Sequence, residues 1–515
     1  MMENNMNRNI PAIPAEKFQF VQKEERIHDE RLQTKAIGYF GDAWIRFRRN
    51  KSAVVAFFLI LILLLFAIVV PFFSNYTVNF RDGYYKTVLP RNNLFRNAGF
   101  WDGGQRTKQT EAGYQYLRAI GEESGKPVVM KEYRSFTDST GAVFYDLRVD
   151  TYAQVGYVYA NLSVAEYQAL QEYQDANGVQ VIYPLAATQN KNFVRGNDGA
   201  NFWYRLADET QGSAGAAVLD ENGGFIPNYL TSSDPQKAGY TSRMRIAGDG
   251  ENGVWYTYAQ KNQSGYKVRV NYDEYFYYKN GFRASFLFGS NTYGQDIFTC
   301  LAVGARLSFL LAITVASINF VIGAVYGSTE GYYGGAVDMI MERISDVLAD
   351  VPFMVVATLF QLHLASKVGP VVSLLFAYML TGWVGTAARV RTQFYRFKGH
   401  EYVLAARTLG ASDRRLIFKH IFPNSLGTIV TSAVMTIPGV IFSESMLSYL
   451  HIINLETSSL TSIGTMLSNG QGYLSTYPHI IMFPAIFIAI LEISFNLFGN
   501  GLRDALNPSL RGADN

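Results

Sequence analysis

Long apolar runs separated by polar stretches form the dominant pattern along this chain, and they predict six membrane-spanning helices. The clearest run, 53–73, contains about twenty apolar residues and no charge. At a rise of about 1.5 Å per residue, a helix of this length crosses roughly 30 Å of hydrocarbon. The five later runs that predict spans lie at about 305–327, 347–365, 370–390, 425–450 and 478–498.

Residues 1–52 precede the first span and predict a cytoplasmic amino-terminal tail. The first part, up to about residue 33, is polar and lacks the apolar core of a secretory signal. Apolar and basic side chains mix over 36–50, which favours an amphipathic helix in the membrane interface, although a plain basic flank fits equally well. The basic residues just before the first span place the amino terminus in the cytoplasm, because positively charged flanks stay inside.

Residues 74–285 contain no run long enough to span a membrane and are rich in Tyr, Asn and Gly. This composition predicts a folded domain of mixed α and β structure, inserted between the first two spans on the extracellular side. Period-two alternation and turn signals predict its strands, and a capped amphipathic pattern predicts a helix. The predicted elements are strands at 142–150, 179–184 and 267–278 and a helix at 163–175.

Composition and charge narrow the possible functions. Nearly half of the 515 residues are hydrophobic, yet mean hydropathy is close to zero, so a membrane bundle is joined to a sizeable polar part. A net charge of +3 spread over this length argues against a nucleic-acid partner. The lone Cys300 excludes internal disulfides and multi-cysteine metal sites. The stretch 121–127, GEESGKP, lacks the spacing of a phosphate loop, so the chain itself is not expected to hydrolyse ATP.

The polar segment 399–424 lies between the fourth and fifth apolar runs and carries most of the functional signal. Residues 401–409 predict a short helix, and Gly410 follows where a carboxyl-terminal cap favours positive φ. Ser412 can cap a second short helix, which Pro423 is expected to end. Basic residues surround this elbow and place it in the cytoplasm, in agreement with four crossings from a cytoplasmic amino terminus.

The elbow resembles the EAA loop of ABC-importer permeases, specifically the dipeptide/oligopeptide permease family, in which EAA is followed by three residues, Gly, nine residues and I-x-L-P. Here Leu404 replaces the glutamate, His420 the isoleucine and Phe422 the leucine, while the helix–Gly–helix–Pro frame is kept. The similarity covers about 35–73 and 286–512 but not the region between them. Further segments similar to the family are 288–308, 331–338 and 496–512.

The resemblance implies an all-α polytopic membrane protein of the type I ABC importer permease kind, which forms half of a translocation path for oligopeptides or dipeptides. The chain would be no enzyme and would bind no cofactor, because ATP and Mg belong to two partner ATPases in the cytoplasm. A homologous second permease and an extracellular peptide-binding lipoprotein complete the implied complex in the cell membrane. Both chain termini would be cytoplasmic.

By the same resemblance, the elbow is a coupling helix that sits in a groove of the ATPase. Small residues would provide close packing and the bend, two larger apolar residues would anchor the helix, and arginines would form a charged rim. The residues expected to take part in coupling are Glu401, Tyr402, Ala405, Ala406, Arg407, Leu409, Gly410, Arg414, Arg415 and Pro423.

Polar and ionisable groups inside the apolar runs require an explanation, because inserting a charged side chain at the centre of a membrane helix costs about 2.5–3.5 kcal/mol. Glu444 and Asn319 are the candidates for a polar translocation path. His363 is a further polar residue in a predicted span. Hydrogen bonding inside the bundle is the alternative for all of them, and it is favoured for Asp350 and Glu492.

Several alternatives stay open at this point. Related permeases for nickel chelates, glutathione or another small solute have similar sequences. A secondary transporter or channel would work without ATPases, but no internal repeat is evident. A surface adhesion or sensing protein anchored by a helical bundle would explain the size of 74–285 but would leave 399–424 unexplained. The predicted outer domain itself suits docking of the solute-binding protein or guarding of the pore mouth.

Overall fold

A computed structural model describes residues 39–95, 99–187, 198–239, 244–457 and 460–506. The predicted tail up to residue 38 and the end of the last family-like segment therefore lie outside the described residues. The described chain begins with helix α1 (Tyr39–Arg49) and helix α2 (Lys51–Phe73). Phe47 on α1 is buried against Phe498, with ring centroids 5.6 Å apart, so the predicted amphipathic helix packs on the bundle.

The chain between α2 and residue 296 contains both helices and strands. The helices are α3 (Glu111–Ser124), α4 (Val164–Asn177) and α5 (Tyr272–Asn280). The strands are β1 (Gly104–Thr110), β2 (Val129–Thr137), β3 (Val143–Asp150), β4 (Tyr157–Leu162), β5 (Ile182–Tyr183), β6 (Thr231–Ser232), β7 (Trp255–Tyr256), β8 (Ala259–Lys261) and β9 (Tyr266–Asn271). Among the described residues they form antiparallel sheets in the orders β1-β3-β2, β4-β9-β5 with β8 also beside β9, and β6-β7.

Most of the elements predicted in this region are present, with one error. β3 occupies the strand predicted at 142–150, and α4 is the helix predicted at 163–175, with its capping box formed. The strand predicted at 267–278 ends at Asn271 instead. The Asn271 side chain accepts a hydrogen bond from the Glu274 backbone amide and caps α5, so alternation gives way to a helix.

The region between α2 and residue 296 leaves and rejoins the bundle at neighbouring points. The Asp82 amide donates to the Gly294 carbonyl at 3.2 Å, and the Gln295 side chain donates to the Val78 carbonyl at 2.7 Å. Gly294 has a φ of 73°, and a Cβ there would lie 1.9 Å from the Asp82 carbonyl oxygen, so only glycine fits. The region is therefore an excursion from one place at the end of the bundle.

A buried ion pair holds the centre of this excursion. Arg269 on β9 is fully buried and donates to Glu123 Oε1 on α3 at 2.6 Å, and the Tyr229 hydroxyl donates to the same oxygen at 2.9 Å. Burial raises the pKa of Glu123, and the adjacent Arg269 guanidinium opposes that rise. Loss of either partner would leave a buried group uncompensated, so the pair ties the sheet to the helix.

From residue 297 onward the described chain is mainly helical. The helices are α6 (Ile297–Tyr333), α7 (Gly335–Ala349), α8 (Phe353–Val368), α9 (Pro370–Thr381), α10 (Val384–Phe397), α11 (Glu401–Thr408), α12 (Asp413–Arg415), α13 (Phe422–Tyr449), α14 (Ile463–Gly470) and α15 (His479–Leu506), with a π turn at Leu416–Ile421. Within the described residues, five helical segments are long and apolar enough to cross a membrane, and a sixth is added if the bent pair α7–α8 is one span. The fold is that of a mostly helical, polytopic membrane protein.

The third predicted span, 347–365, is wrong as a single straight helix. α7 and α8 meet at a bend of 72°. Pro352 at the break has extended ψ, at 124°, and its missing amide hydrogen and its ring prevent a regular helix from continuing through it. Asp350 therefore lies exposed at the end of α7, beside the break between α7 and α8.

α6 and α10 approach each other closely because α6 places a glycine at every fourth position along the contact. These glycines are Gly323, Gly327 and Gly331. A Cβ at Gly327 would lie 2.2 Å from the Ala387 carbonyl oxygen, and one at Gly331 would lie 2.7 Å from the Cβ of Phe394. Small residues at this spacing let helix backbones meet inside membranes. The contact fixes α10, which leads into the elbow, against α6.

We expect Gly327→Leu to destabilise the bundle. The added side chain meets backbone atoms, which cannot rotate away. The free energy of unfolding should therefore fall by about 1–3 kcal/mol, the usual range for overpacking. The measurement is the Tm of the purified protein in detergent. Gly385→Leu is the matched control, because Gly385 lies on α10 with open space around its Cβ position. Equal Tm values for the two variants would contradict a tight α6–α10 contact.

Candidate functional site

The elbow at 399–424 is attached to the end of the α6–α10 pair by an apolar cluster. Val403 of α11 is fully buried there, against Phe394 of α10 and Leu416 of the π turn. Val403 was not among the predicted coupling residues, which are its neighbours along the elbow. The available signal was its i, i+3 spacing to Ala406, which is half-buried against the same cluster.

Gly410 forms the bend of the elbow, as predicted. Its φ is 82°, a backbone conformation that glycine adopts without a steric cost. The Gly410 amide donates to the Arg407 carbonyl and the Ala411 amide to the Ala406 carbonyl, both at 3.0 Å. These two bonds form a Schellman cap at the end of α11. No atom lies within 4 Å of the position a Cβ would take, so the outer side of the bend is open.

The second half of the elbow differs in part from the prediction. Ser412 is extended and stands at the amino-terminal cap of α12, but its side chain makes no capping hydrogen bond. Asp413 accepts a hydrogen bond from the Tyr332 hydroxyl at 2.5 Å instead. This bond joins the start of α12 to the last turn of α6.

Pro423 does not end the second helix, which corrects the prediction. The π turn at Leu416–Ile421 runs directly into α13, and the Phe422 amide bonds to the Ile417 carbonyl, five residues earlier. A proline ring would collide with the carbonyl four residues before it in a regular helix. The wider π turn lies just before Pro423 and relieves that collision, so the elbow is continuous with the span that follows.

The outer surface of the elbow is apolar at its tip and basic around it. Leu409 is 87% exposed and Tyr402 is 39% exposed. Ala406, a further predicted coupling residue, is half-buried. The predicted coupling residues that lie exposed are Glu401, Tyr402, Ala405, Arg407, Leu409, Gly410, Arg414, Arg415 and Pro423.

Polar contacts tie the elbow to the carboxyl-terminal turn of α6 on two sides. The Arg407 guanidinium lies 5.7 Å from the centroid of the Tyr332 ring. Lys398 Nζ donates to the Gly331 carbonyl at 2.9 Å, and partial burial lowers the pKa of this amine. The elbow is thus held by α6 as well as by its own chain neighbours.

An arginine-centred network links α7 to α10 near the same end. Arg391 donates to Asp338 at 2.6 Å and to Glu342 at 2.8 Å. The Tyr395 hydroxyl donates to Asp338 at 2.7 Å. This network was not predicted, because its two sides lie about fifty residues apart and neither side forms a motif.

The structure places Glu444 inside the bundle with hydrogen-bond partners. Its side chain is fully buried between α13 and α6. Ser308 donates to Oε2 at 3.0 Å and Ser448 to Oε1 at 3.1 Å. These surroundings match the alternative prediction for Glu444, which is hydrogen bonding inside the bundle.

Asn319 lies in different surroundings. It is 2% exposed, its side-chain oxygen has no hydrogen-bond partner among the described residues, and it lines a cavity of about 380 Å³ between α6, α8, α9, α10 and α13. His363 is exposed and Glu492 is half-buried. The structure therefore separates the two path candidates, since Asn319 reaches a cavity and Glu444 does not line it.

Comparisons with known proteins match both parts of the bundle. A family model described as the inner membrane component of binding-protein-dependent transport systems matches residues 319–512, and one for the N-terminal TM domain of oligopeptide transport permease C matches 38–94. The oligopeptide transport system permease protein OppC of Bacillus subtilis is 42% identical over 224 residues, which cover 44% of this chain and 72% of the relative. The dipeptide transport system permease protein DppC of the same organism is 40% identical over 225 residues, covering 44% and 69%.

A solved structure, the methionine ABC transporter MetNI in an inward-facing conformation, is 16% identical with a TM-score of 0.33, covering 40% of this chain and 96% of that chain.

We expect Val403→Ala to loosen the elbow. Removing two buried methyl groups leaves a cavity in the cluster and should cost about 1–3 kcal/mol locally. Trypsin should then cut faster at the exposed arginines of the elbow, because cleavage follows local opening. Leu404→Ala is the control, since Leu404 is the next residue and is 45% exposed. Equal cleavage rates for the two variants would contradict the anchoring role of Val403.

Proposed function

Because the chain belongs to the family of binding-protein-dependent transport system inner membrane components, we propose that it is the transmembrane permease subunit of an ATP-driven importer for oligopeptides or dipeptides. The names of relatives that are 42% and 40% identical support this substrate class. The family is a transporter permease and not a catalytic enzyme, so the chemistry of ATP hydrolysis is assigned to partners. The chain would supply half of the translocation path.

The proposed complex contains three kinds of partner. A homologous second permease completes the path, two cytoplasmic ATPases hold ATP and Mg, and an extracellular peptide-binding lipoprotein delivers the peptide. The basic flank before α2 and the basic elbow support cytoplasmic placement of both, because positively charged loops stay inside. The excursion between α2 and residue 296 would then lie outside the cell as an inserted α+β domain.

The proposal of coupling rests on the exposed elbow, whose base is firmly attached to the bundle. Leu409 presents an apolar side chain to solvent, which suits insertion into a pocket of a partner. Arg407 and Arg414 lie exposed nearby and suit contact with an acidic rim. When the ATPases close on ATP, the elbow would move with them, and the bundle would rock between outward and inward access.

Rigid attachment matters for this mechanism, because a loop that bends on its own transmits no displacement. The buried Val403 and the Tyr332–Asp413 hydrogen bond hold the elbow to α10 and α6. The glycine contact between these helices extends that attachment into the bundle. These observations support force transfer from the elbow to the path.

Gly410→Trp should abolish peptide-stimulated ATP hydrolysis in the complete complex while the chain still inserts into the membrane. A tryptophan is strained at a φ of 82° and would occupy the open outer side of the bend. Stimulation is measured as ATP hydrolysis with and without the loaded binding protein. Gly472→Trp is the control, since Gly472 also has open space around its Cβ position and lies outside the elbow, in the turn Gln471–Tyr473 between α14 and α15. Normal stimulation in Gly410→Trp would count against the coupling role.

Removal of 80–283 tests the proposed outer domain. The Ser285 amide donates a hydrogen bond to the Tyr76 hydroxyl at 3.0 Å, and both residues lie outside the deletion, so the cut ends can be joined near their present positions. We expect loss of uptake driven by the binding protein, because a docking surface is removed, with basal ATP hydrolysis kept. Radiolabelled peptide uptake into proteoliposomes measures the effect. Unchanged uptake would make this region dispensable for transport.

A further inference from the structure

The cavity that Asn319 lines has a chemical character that the proposed function leaves unexplained. Its volume of about 380 Å³ is within the usual range of small-ligand sites. The lining contains one cation and several hydroxyl groups but no carboxylate. The polar residues of this lining are Asn319, Tyr378, Thr381, Arg389, Ser432, Thr436 and Ser443.

Arg389 is the cation, and no carboxylate lies within ion-pair distance of it among the residues that the structure describes. Arg391, two residues further along the same helix, contacts Asp338, Glu342 and Glu330. The difference shows that α10 carries one arginine that holds the fold together and one whose charge the described chain does not neutralise. An unneutralised cation that faces a cavity favours an anionic ligand.

The amide side chain of Asn319 adds a second, separate requirement, which is a hydrogen-bond donor on the ligand. It is buried, and its oxygen lacks a hydrogen-bond partner among the described residues. Buried polar atoms are rarely left unpaired, because the loss of hydration is costly. Gly382 leaves room for this amide, since a Cβ there would lie 2.3 Å from the Asn319 side-chain nitrogen. An amide oxygen accepts hydrogen bonds, so it suits an N–H group beside the anion.

We propose that this cavity binds the carboxyl terminus of a peptide in transit, with Arg389 paired to the terminal carboxylate and Asn319 accepting a hydrogen bond from a peptide N–H. The proposal rests on the proposed function and adds a chemical requirement to it. A free carboxylate is common to all unmodified peptides, whatever their side chains. Recognition of this group would let one cavity accept many sequences.

A second source of anionic groups is the membrane, because an exposed arginine near the end of a span can also contact lipid phosphates. The two sources differ in a testable way. A lipid contact is insensitive to the chemistry of the transported peptide, whereas pairing with the terminus requires the free carboxylate.

The experiment measures ATP-dependent uptake by the complete complex in liposomes, using trialanine and trialanine amide as the probes. The variants are Arg389→Gln, Arg389→Lys, which keeps the charge, and Arg396→Gln, an exposed arginine two turns further along α10 that does not line the cavity. We expect Arg389→Gln to lower the acid-to-amide uptake ratio roughly tenfold, the effect of one lost charge-assisted hydrogen bond. Arg389→Lys should keep most of the wild-type ratio, and Arg396→Gln all of it.

The ratio separates this proposal from its alternatives. Any preference of the binding protein is the same in every variant, so it cancels between wild type and Arg389→Gln. An unchanged ratio in Arg389→Gln overturns the proposal, and an equal fall in uptake of both probes assigns Arg389 to lipid contact or bundle stability instead. If the wild-type complex takes up neither peptide, the proposed substrate class has failed, and the inference fails with it.

Discussion

Close backbone contact between α6 and α10 is the constraint on which the functional part of this structure depends. Inside a membrane the hydrophobic effect does not press helices together, so association relies on packing at short range. Gly323, Gly327 and Gly331 provide it, because side chains at these positions would overlap atoms of α10. The contact continues to the last turn of α6, where Tyr332 and Gly331 hold the elbow through Asp413 and Lys398.

The α6–α10 pair therefore bears both the elbow and the cavity, the two features to which a role is assigned. The elbow lies at its end, and the cavity with Asn319 and Arg389 lies along its length. We expect a displacement of the elbow to move this pair as a unit, since the two backbones are in close contact at the glycines. In the proposed transporter, motion at the ATPase would thereby change the surroundings of the peptide directly.

The sequence alone was sufficient to predict features that depend on neighbouring residues along the chain. Apolar length predicted the spans, and the demand for positive φ predicted the bend at Gly410. Prediction was less successful where contacts between distant residues, or competing local conformations, determine the structure. Pro423 was expected to end a helix, but a π turn relieves its collision with the preceding turn. Val403 was missed because the residues around it were selected instead. The Arg391 network was missed because its partners on α7 lie about fifty residues away, and a single sequence does not show which helices meet.

The two polar candidates in the bundle show how structure separates stabilising groups from binding groups. Glu444 was a path candidate by sequence, since a carboxyl group in a span is costly, yet Ser308 and Ser448 donate hydrogen bonds to it and it does not line the cavity. Arg389 was not predicted as a site residue, yet it lines the cavity without a counter-charge from the described chain. A polar group whose partners are complete contributes to the fold, whereas one whose partner is absent from the fold is suited to a ligand. By this criterion, the role of a polar residue is better judged from whether it has a partner within the fold than from how deep in the span it lies.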